Sequence, residues 1–374
     1  MAAQEFNRVL QTTIEEYMLG AEDNTIRNRK FLSLMKAKGR IEFNHDGTDL
    51  NWGIQYRQRA LTGYADGDTV SFSRSDNFKR ASVPWRGYVM QDLVTDKEKL
   101  MNRGRPALIK YISEMVESMA EDMTQRYGPQ FYQDGNAAAN AKTLMGLDTF
   151  EGTASQQAGS AGVGPYVALP GNTYGGLSCA LGNYGGSWTG MWPVGTGDVE
   201  YDFWSPIIVD YTNVSWGYSP DTWANTCHDA LRFGILHSKR NDSQKGLIDI
   251  VMLDRELFRQ WEKLLDTKER VYVQIPGDAL GARPTLRNLG FGDVQSFEGA
   301  EITWEFGIPT DANNNPQGYG LNIDEMMLCC LDDRIFKPMG PYYDEASMAD
   351  RYMIRQFGNM KSNPRYFAKW AQYT

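Results

Sequence analysis

The chain has 374 residues, of which 41% are hydrophobic, 12% aromatic and 23% charged, with a formal net charge of -9. That is enough apolar material for a sizeable core divided into two or three compact units, and it argues against global disorder. The excess of acid excludes a protein that neutralises phosphates over a broad surface, and the short, interrupted apolar runs exclude a helical membrane span or a signal-like leader core.

In chain order, Phe6, Val9, Leu10 and Ile14 share one stripe and predict a helix over about 6–18. The stretch Ile26 to Arg40 then gathers Arg27, Arg29, Lys30, Lys36, Lys38 and Arg40 without an acid. It reads either as a solvated basic face or as a contact with an acidic neighbour or with DNA. From Arg40 to Val94 apolar and polar residues alternate through Ile41–Phe43, Leu50–Tyr56, Val70–Phe72 and Ser82–Val89, with turns at Asp46-Gly47 and Asp66-Gly67. The pattern predicts a long two-stranded ribbon, which buries little by itself and needs a partner surface.

Leu108, Ile112, Met115, Val116, Met119 and Met123 next form one continuous stripe, while Glu114, Glu117, Glu121 and Asp122 take other faces. Pro106 and Gly128-Pro129 punctuate this helix over about 104–128. The span from Gly146 to Gly197 is rich in Gly, Ser, Ala and Thr and predicts an exposed, mobile loop. Ser219 and Pro220 are expected to cap and open a helix carrying Trp223, Cys227, Leu231 and Ile235. A buried strand at Leu247–Met252 follows, then a helix capped by Asp254 with Leu257, Phe258, Trp261, Leu264 and Leu265 inward, then alternation from Leu289 to Ile308. Helices mixed with non-local strands, without a βαβ rhythm, give an α+β class.

Residues that would carry chemistry are sparse. His45, His228 and His237 are scattered, and His228 and His237 fall on different faces of one helix. Gly277-Asp278-Ala279-Leu280-Gly281 is followed by Ala282-Arg283-Pro284, without the lysine of a phosphate loop. Cys179, Cys227, Cys329 and Cys330 lack the paired spacing of zinc sites and are expected as buried thiols. Neither an enzyme nor a cofactor is therefore expected. A rival reading rests on Trp188, Trp192, Trp204, Trp216 and Trp223, which could stack on a sugar beside Asp198, Glu200 and Asp202, although aromatics equally dominate cores and subunit interfaces.

The order of these elements resembles the tailed-phage major capsid proteins of the Hong Kong 97 type. Local patterns in the same order are Leu144-Met145-Gly146-Leu147, Asn172-Thr173-Tyr174-Gly175-Gly176-Leu177 with Trp188, Asn288-Leu289-Gly290-Phe291, Phe297-Glu298-Gly299-Ala300-Glu301-Ile302, and the ending Ser362-Asn363-Pro364-Arg365-Tyr366-Phe367-Ala368-Lys369-Trp370. The resemblance covers nearly the whole chain. It implies an N-terminal arm at 1–39, an E-loop ribbon at 40–94, the spine helix with part of the P-domain at 95–149, an A-domain at 150–275, and P-domain strands, A-domain return and C-terminal segment at 276–374.

It further implies hexamers and pentamers of an icosahedral shell around double-stranded DNA, made in the host cytoplasm and ending in the virion. Because the arm begins near Met1, a separate scaffolding protein is expected, with a portal and a possible decoration protein; no membrane and no sequence-specific DNA contact are expected. A bacterial nanocompartment shell is the nearer alternative, a carbohydrate-binding protein the more distant one. On this reading Arg57, Arg59, Arg74, Lys79 and Arg80 of the ribbon meet Glu114, Glu117 and Glu121 of a neighbouring spine helix. Arg27, Arg29, Lys30, Lys36, Lys38 and Arg40 would then serve lumen or arm contacts.

Overall fold

A computed structural model describes residues 30–69, 72, 74–101, 105–152, 164–168, 170–239, 247–267, 294–311 and 313–373, with the side chains of 105–111, 114, 266 and 267 outside that description. The helix expected over 6–18, Arg27, Arg29, the segment 153–160 and Asn288–Phe291 lie outside the described residues.

The first element, α1 (Lys30–Ala37), buries Phe31, Leu32, Leu34 and Met35. Gly39 ends it at φ +65°, in the left-handed region that glycine adopts without steric cost. Strand β1 (Ile41–Glu42) leads to β2 (Asp49–Gln55), β3 (Phe78–Pro84) and β4 (Arg86–Thr95). Thr95 and Glu98 then exchange hydrogen bonds, with Thr95 N donating to Glu98 Oε2 at 2.9 Å and Glu98 N to Thr95 Oγ1 at 3.3 Å. This reciprocal cap starts α2 (Asp96–Met101). The helix α3 (Arg105–Tyr127) has 23 residues and so runs about 34 Å. Its stripe of Ile112, Met115, Val116, Met119 and Met123 is buried, and Glu117, Glu121 and Asp122 are exposed, as the periodicity requires.

After α4 (Asp148–Glu151) come five short strands, β5 (Val167–Ala168), β6 (Thr173–Tyr174), β7 (Leu177–Ser178), β8 (Trp188–Thr189) and β9 (Thr196–Gly197). They are followed by β10 (Ile207–Asp210), α5 (Trp223–Ser238), β11 (Ile250–Leu253) and α6 (Arg255–Thr267). The chain closes with β12 (Gln295–Phe297), β13 (Ala300–Trp304), β14 (Gly318–Leu321), β15 (Met326–Cys330), β16 (Lys337–Asp344), β17 (Ala349–Ser362) and β18 (Ala368–Ala371).

Two sheets organise these elements. A seven-stranded sheet runs in the order β12-β13-β11-β14-β18-β10-β5. Every residue of β11 is buried, and alternate side chains serve different cores: Ile250 and Met252 join the cluster containing α3, Val251 and Leu253 the cluster containing α5 and α6. A strand covered on both faces loses the polar alternation of a half-exposed one. The second sheet has five strands and centres on β17, whose 14 residues pair with β4 along Ala349–Gly358, with β16 from Ala349 to Arg355 and with β15 from Gly358 to Ser362.

The C-terminal strand β18 ties the layers together. Trp370, fully buried, donates from Nε1 to Ala230 O at 2.8 Å. Glycines make room for its ring: a Cβ on Gly234 would stand 2.5 Å from Trp370 Cζ2, and one on Gly320 2.9 Å from Cη2. The preceding side chain points the other way. Lys369, with no exposed surface, forms an ion pair with Asp148 of α4 and donates to Gly152 O at 2.7 Å, while Tyr319 OH donates to Asp148 Oδ1 at 3.0 Å. Burial pushes the Asp148 carboxyl up, and the Lys369 ammonium opposes that shift.

Several expectations are corrected. The ribbon's described return strand is Phe78–Pro84; Phe72 lies outside any strand and is 93% exposed, while Val70 and Ser71 lie outside the described residues. Residues 86–94 leave the ribbon after Pro84 and pair with β17, because the long C-terminal strand offers a buried partner that the ribbon lacks. Ser219 does not cap α5. Tyr218 N bonds to Asp221 Oδ1 at 3.0 Å, closing a turn, and the helix starts at Trp223 behind an extended Thr222. Within the described part of the Gly-rich span, residues 146–152 and 172–182 are packed structure, whereas most of 183–197 is exposed as expected. Gly175 and Gly176, at φ +59° and +76°, form the two-residue turn joining β6 to β7, and Tyr174, Leu177, Cys179 and Trp192 are buried around it. Within the α+β fold the seven-stranded sheet is mixed: β11 and β13 pair in parallel, with α6 between them in sequence, and β10 and β18 pair in parallel as well. The Asp254 cap is as expected, Glu256 N donating to Asp254 Oδ1 at 2.8 Å.

Replacing Lys369 with Met leaves Asp148 in the core without its counter-charge. Urea unfolding of the purified chain is expected to show a loss of about 3–5 kcal/mol, the cost of breaking a buried pair; a change below about 1 kcal/mol would mean that the pair contributes only as a surface contact does.

Candidate assembly surfaces

The ribbon is anchored at its root and bare at its tip. Strands β2 and β3 pair from Asp49↔Pro84 to Gln55↔Phe78. Near the root Leu50, Ala81 and Val83 are buried, and Ser82 N donates to Gly175 O at 2.9 Å, docking the ribbon on the β6–β7 hairpin. The closure point is Tyr56, buried, with its ring 5.8 Å from Phe203 and its N donating to Asn77 O at 3.0 Å. Beyond it every residue from Arg57 to Thr69 is exposed, and Asp68 folds the tip through bonds to Ala65. Leu61 is 100% exposed, Phe72 93% and Tyr64 65%.

The ribbon cations divide into two groups. Arg57 Nε lies 3.1 Å from Glu200 Oε1 within the same chain. Lys79 lies 3.5 Å from Asp76 and 4.8 Å above the Tyr56 ring, and Arg80 donates to Asn51 Oδ1 at 3.2 Å across the ribbon. Arg59 and Arg74 are exposed, and no ion pair to either occurs among the described residues. On α3 Glu117 and Glu121 are exposed, whereas the Glu114 side chain lies outside the description.

The basic segment after residue 29 is largely folded onto its own subunit. Lys30 Nζ donates to Thr303 Oγ1 and Trp304 O, both at 2.8 Å, Lys38 pairs with Asp249 at 3.0 Å, and Arg40 with Asp324 at 2.9 Å. Lys36 is exposed. Three of the cations expected to face a lumen or another subunit are thus engaged in holding α1 and β1 against their own chain.

The tryptophans that could have formed a sugar platform are mostly core. Trp192, Trp204 and Trp223 are buried and Trp188 and Trp216 half-buried. Asp202, named above beside those tryptophans, is buried as an acceptor from Trp192 Nε1 and Arg365 Nε, both at 3.1 Å. Asp198 caps a turn by accepting from Ser187 N at 3.0 Å. All four cysteines are buried and free, and burial pushes the Cys329 and Cys330 thiols up to about 12.

No known family profile and no curated protein matches the sequence. Solved structures do. The cyanophage A-1(L) capsid asymmetric unit superposes with a TM-score of 0.58 at 13% identity, covering 91% of this chain and 92% of that one. The capsid of a native GTA particle gives 0.52 at 9% identity, with 91% of each chain covered. The capsid of Myoviridae phage XM1 gives 0.50 at 8% identity, over 91% of this chain and 92% of that one. The fold is the Hong Kong 97 capsid fold. At such low identity a capsid fold is preserved by layer architecture and strand order, not by shared side chains.

The exposed apolar tip, Leu61, Tyr64 and Phe72, escaped the sequence reading, which singled out the cations around it. The signal was present: large apolar residues flank Asp66-Gly67 at the turn of a ribbon that buries little by itself. Because these side chains are exposed, a Leu61→Asp/Phe72→Asp double variant and an Arg59→Glu/Arg74→Glu double variant should each leave the subunit's unfolding free energy within about 0.5 kcal/mol of the parent in urea titration. Arg57→Glu, which also places a second acid against Glu200, should cost up to about 1 kcal/mol in the same titration.

Proposed function

We propose that this chain is a major capsid protein, which assembles with copies of itself into the closed shell of a tailed phage and performs no catalytic step. The observation that carries this reading is the match over 91% of the chain to subunits of phage and GTA capsids, joined to a ribbon whose tip has no partner surface on its own described chain. On this reading residues 40–94 contain the E-loop, with the ribbon proper at Asp49–Pro84, α3 is the spine helix, and the seven-stranded sheet with α5 and α6 belongs to the A-domain. The ribbon tip crosses onto a neighbouring subunit. Leu61, Tyr64 and Phe72 supply apolar contact there, while Arg59 and Arg74 meet acids such as Glu117 and Glu121.

Each such contact is modest. Exposed ion pairs contribute about 0–1 kcal/mol, and burying a side chain the size of Leu or Phe about 1.5–3 kcal/mol. Closed symmetry repeats the same patch at every interface, so small terms decide whether a shell forms. Hexamers and pentamers, an enclosed double-stranded DNA genome, a separate scaffolding protein, a portal and a decoration protein complete the proposal. The acidic net charge of -9 suits a wall that encloses DNA without gripping it. Nothing in the fold favours a nanocompartment over a virus, and the burial of Trp192, Trp204 and Trp223 removes the platform a sugar would need.

Purified protein, alone and co-expressed with a scaffolding protein, tests the reading by light scattering and negative-stain microscopy. Closed particles tens of nanometres across, or discrete rings of five and six subunits, are expected. The Leu61→Asp/Phe72→Asp variant should remain a folded monomer under the same conditions. A parent chain that stays monomeric with scaffold present would overturn the proposal, and full-sized particles from the variant would overturn the role given to the tip.

A further inference from the structure

Outside the ribbon, one group of side chains serves no purpose assigned above. Strands β1 and β15 run parallel, with Ile41 opposite Leu328 and Glu42 opposite Cys329. Register partners in neighbouring strands project from the same face of a sheet, so the Glu42 carboxylate and the Cys329 thiol share one side. The chain then turns back. Asn44 sits at φ +59°, and two backbone bonds fix the turn, Asn44 N donating to Asp332 O at 3.2 Å and His45 N to Cys330 O at 3.1 Å. This brings the His45 imidazole over the pair, beside the indole of Trp85 with centroids 6.1 Å apart. Trp85 is itself held by a bond from its Nε1 to Gly47 O at 3.0 Å.

The three ligand atoms lie within 4.8 Å of one another. His45 Nε2 is 3.0 Å from Glu42 Oε2, yet it is a buried atom that enters no hydrogen bond among the described residues. An imidazole nitrogen that close to a carboxylate would ordinarily donate to it. Here the nitrogen, the oxygen and the thiol sulfur form one close triangle. The donor set is one nitrogen, one sulfur and one oxygen, a mixture that suits a borderline-soft divalent ion. Around tetrahedral zinc, bonds of about 2.0–2.3 Å place ligand atoms about 3.3–3.8 Å apart. The cluster needs only small side-chain rotations to reach that spacing.

We propose that Glu42, His45 and Cys329 bind a divalent transition metal of the zinc class, with the fourth position open to water or to another ligand. The site clasps β1 to β15. Strand β1 has only two residues, and it is the link between α1 and the ribbon strand β2. A metal there fixes the root from which the ribbon projects. The proposal stands on the local geometry alone and does not depend on the assembly reading.

The test uses the full-length, untagged chain. After dialysis against buffer with micromolar zinc and then metal-free buffer, elemental analysis is expected to find one zinc per chain. Cobalt(II) should give tetrahedral visible bands together with a thiolate charge-transfer band in the near ultraviolet. Cys329→Ser should remove the charge-transfer band, and His45→Ala the tight binding. Glu42→Gln, at an exposed position where folding is not at risk, should weaken binding at least tenfold. Cys227→Ser, in the other core, should change nothing. Absence of bound metal in the parent chain, or the same cobalt spectrum from Cys329→Ser as from the parent, would overturn the site.

Discussion

A two-stranded ribbon has two faces and no third layer to cover them, and that constraint governs how this chain must behave. At its root the problem is solved within the subunit, where Leu50, Ala81 and Val83 are buried and the β6–β7 hairpin docks alongside. Past Tyr56 and Asn77 the described residues offer no cover, and Leu61, Tyr64 and Phe72 stand exposed. Apolar surface left exposed forgoes about 25 cal/mol for every Å² that a partner could bury. On the proposed reading, that cost is tolerable in one chain and becomes a driving force when copies meet.

Such a projection is useful only if its base does not yield, and the rest of the molecule supplies a firm base. Strand β3 passes at Pro84 almost directly into β4, which is paired along ten residues of β17. The five-stranded sheet therefore carries the ribbon, and α3 packs along β4. The seven-stranded sheet is locked to this part by β18, which faces the α5 helix with Trp370 and the α4 turn with Lys369. Tight tolerances at Gly234 and Gly320 around the Trp370 ring leave little freedom for the layers to slide. Among the described residues, a closely packed base carrying an uncovered ribbon tip is a form suited to repeated association.

Much of this architecture was legible from residue order. The α3 stripe, the Trp223-Cys227-Leu231-Ile235 face of α5 and the Asp254 cap of α6 follow from local rules, because helix periodicity and capping act within a few residues. What failed to read was non-local. Nothing near Arg86–Thr95 announces that its partner is a strand more than 250 residues later, so the pattern was assigned to the ribbon instead. The Gly-rich span looked open because its packing comes from scattered aromatics, Tyr174, Trp192 and Trp204, fitted around glycines whose positive φ the sequence does not display. The basic stretch misled in a similar way: Lys30, Lys38 and Arg40 find Trp304, Asp249 and Asp324 far along the chain. Of the candidate contact residues, Arg59 and Arg74 stand as exposed as a reach to a neighbour requires, whereas Arg57 has an internal partner in Glu200.

The central claim is that the ribbon tip of one subunit rests on another. A photo-crosslinking amino acid placed at Leu61, in particles assembled from an equal mixture of light and heavy-isotope chains, tests it most directly. The account predicts covalent dimers of mixed isotope whose cross-linked peptides join residue 61 to a surface that includes α3. Cross-links confined to single chains, or assembled particles in which residue 61 stays uncoupled, would contradict it.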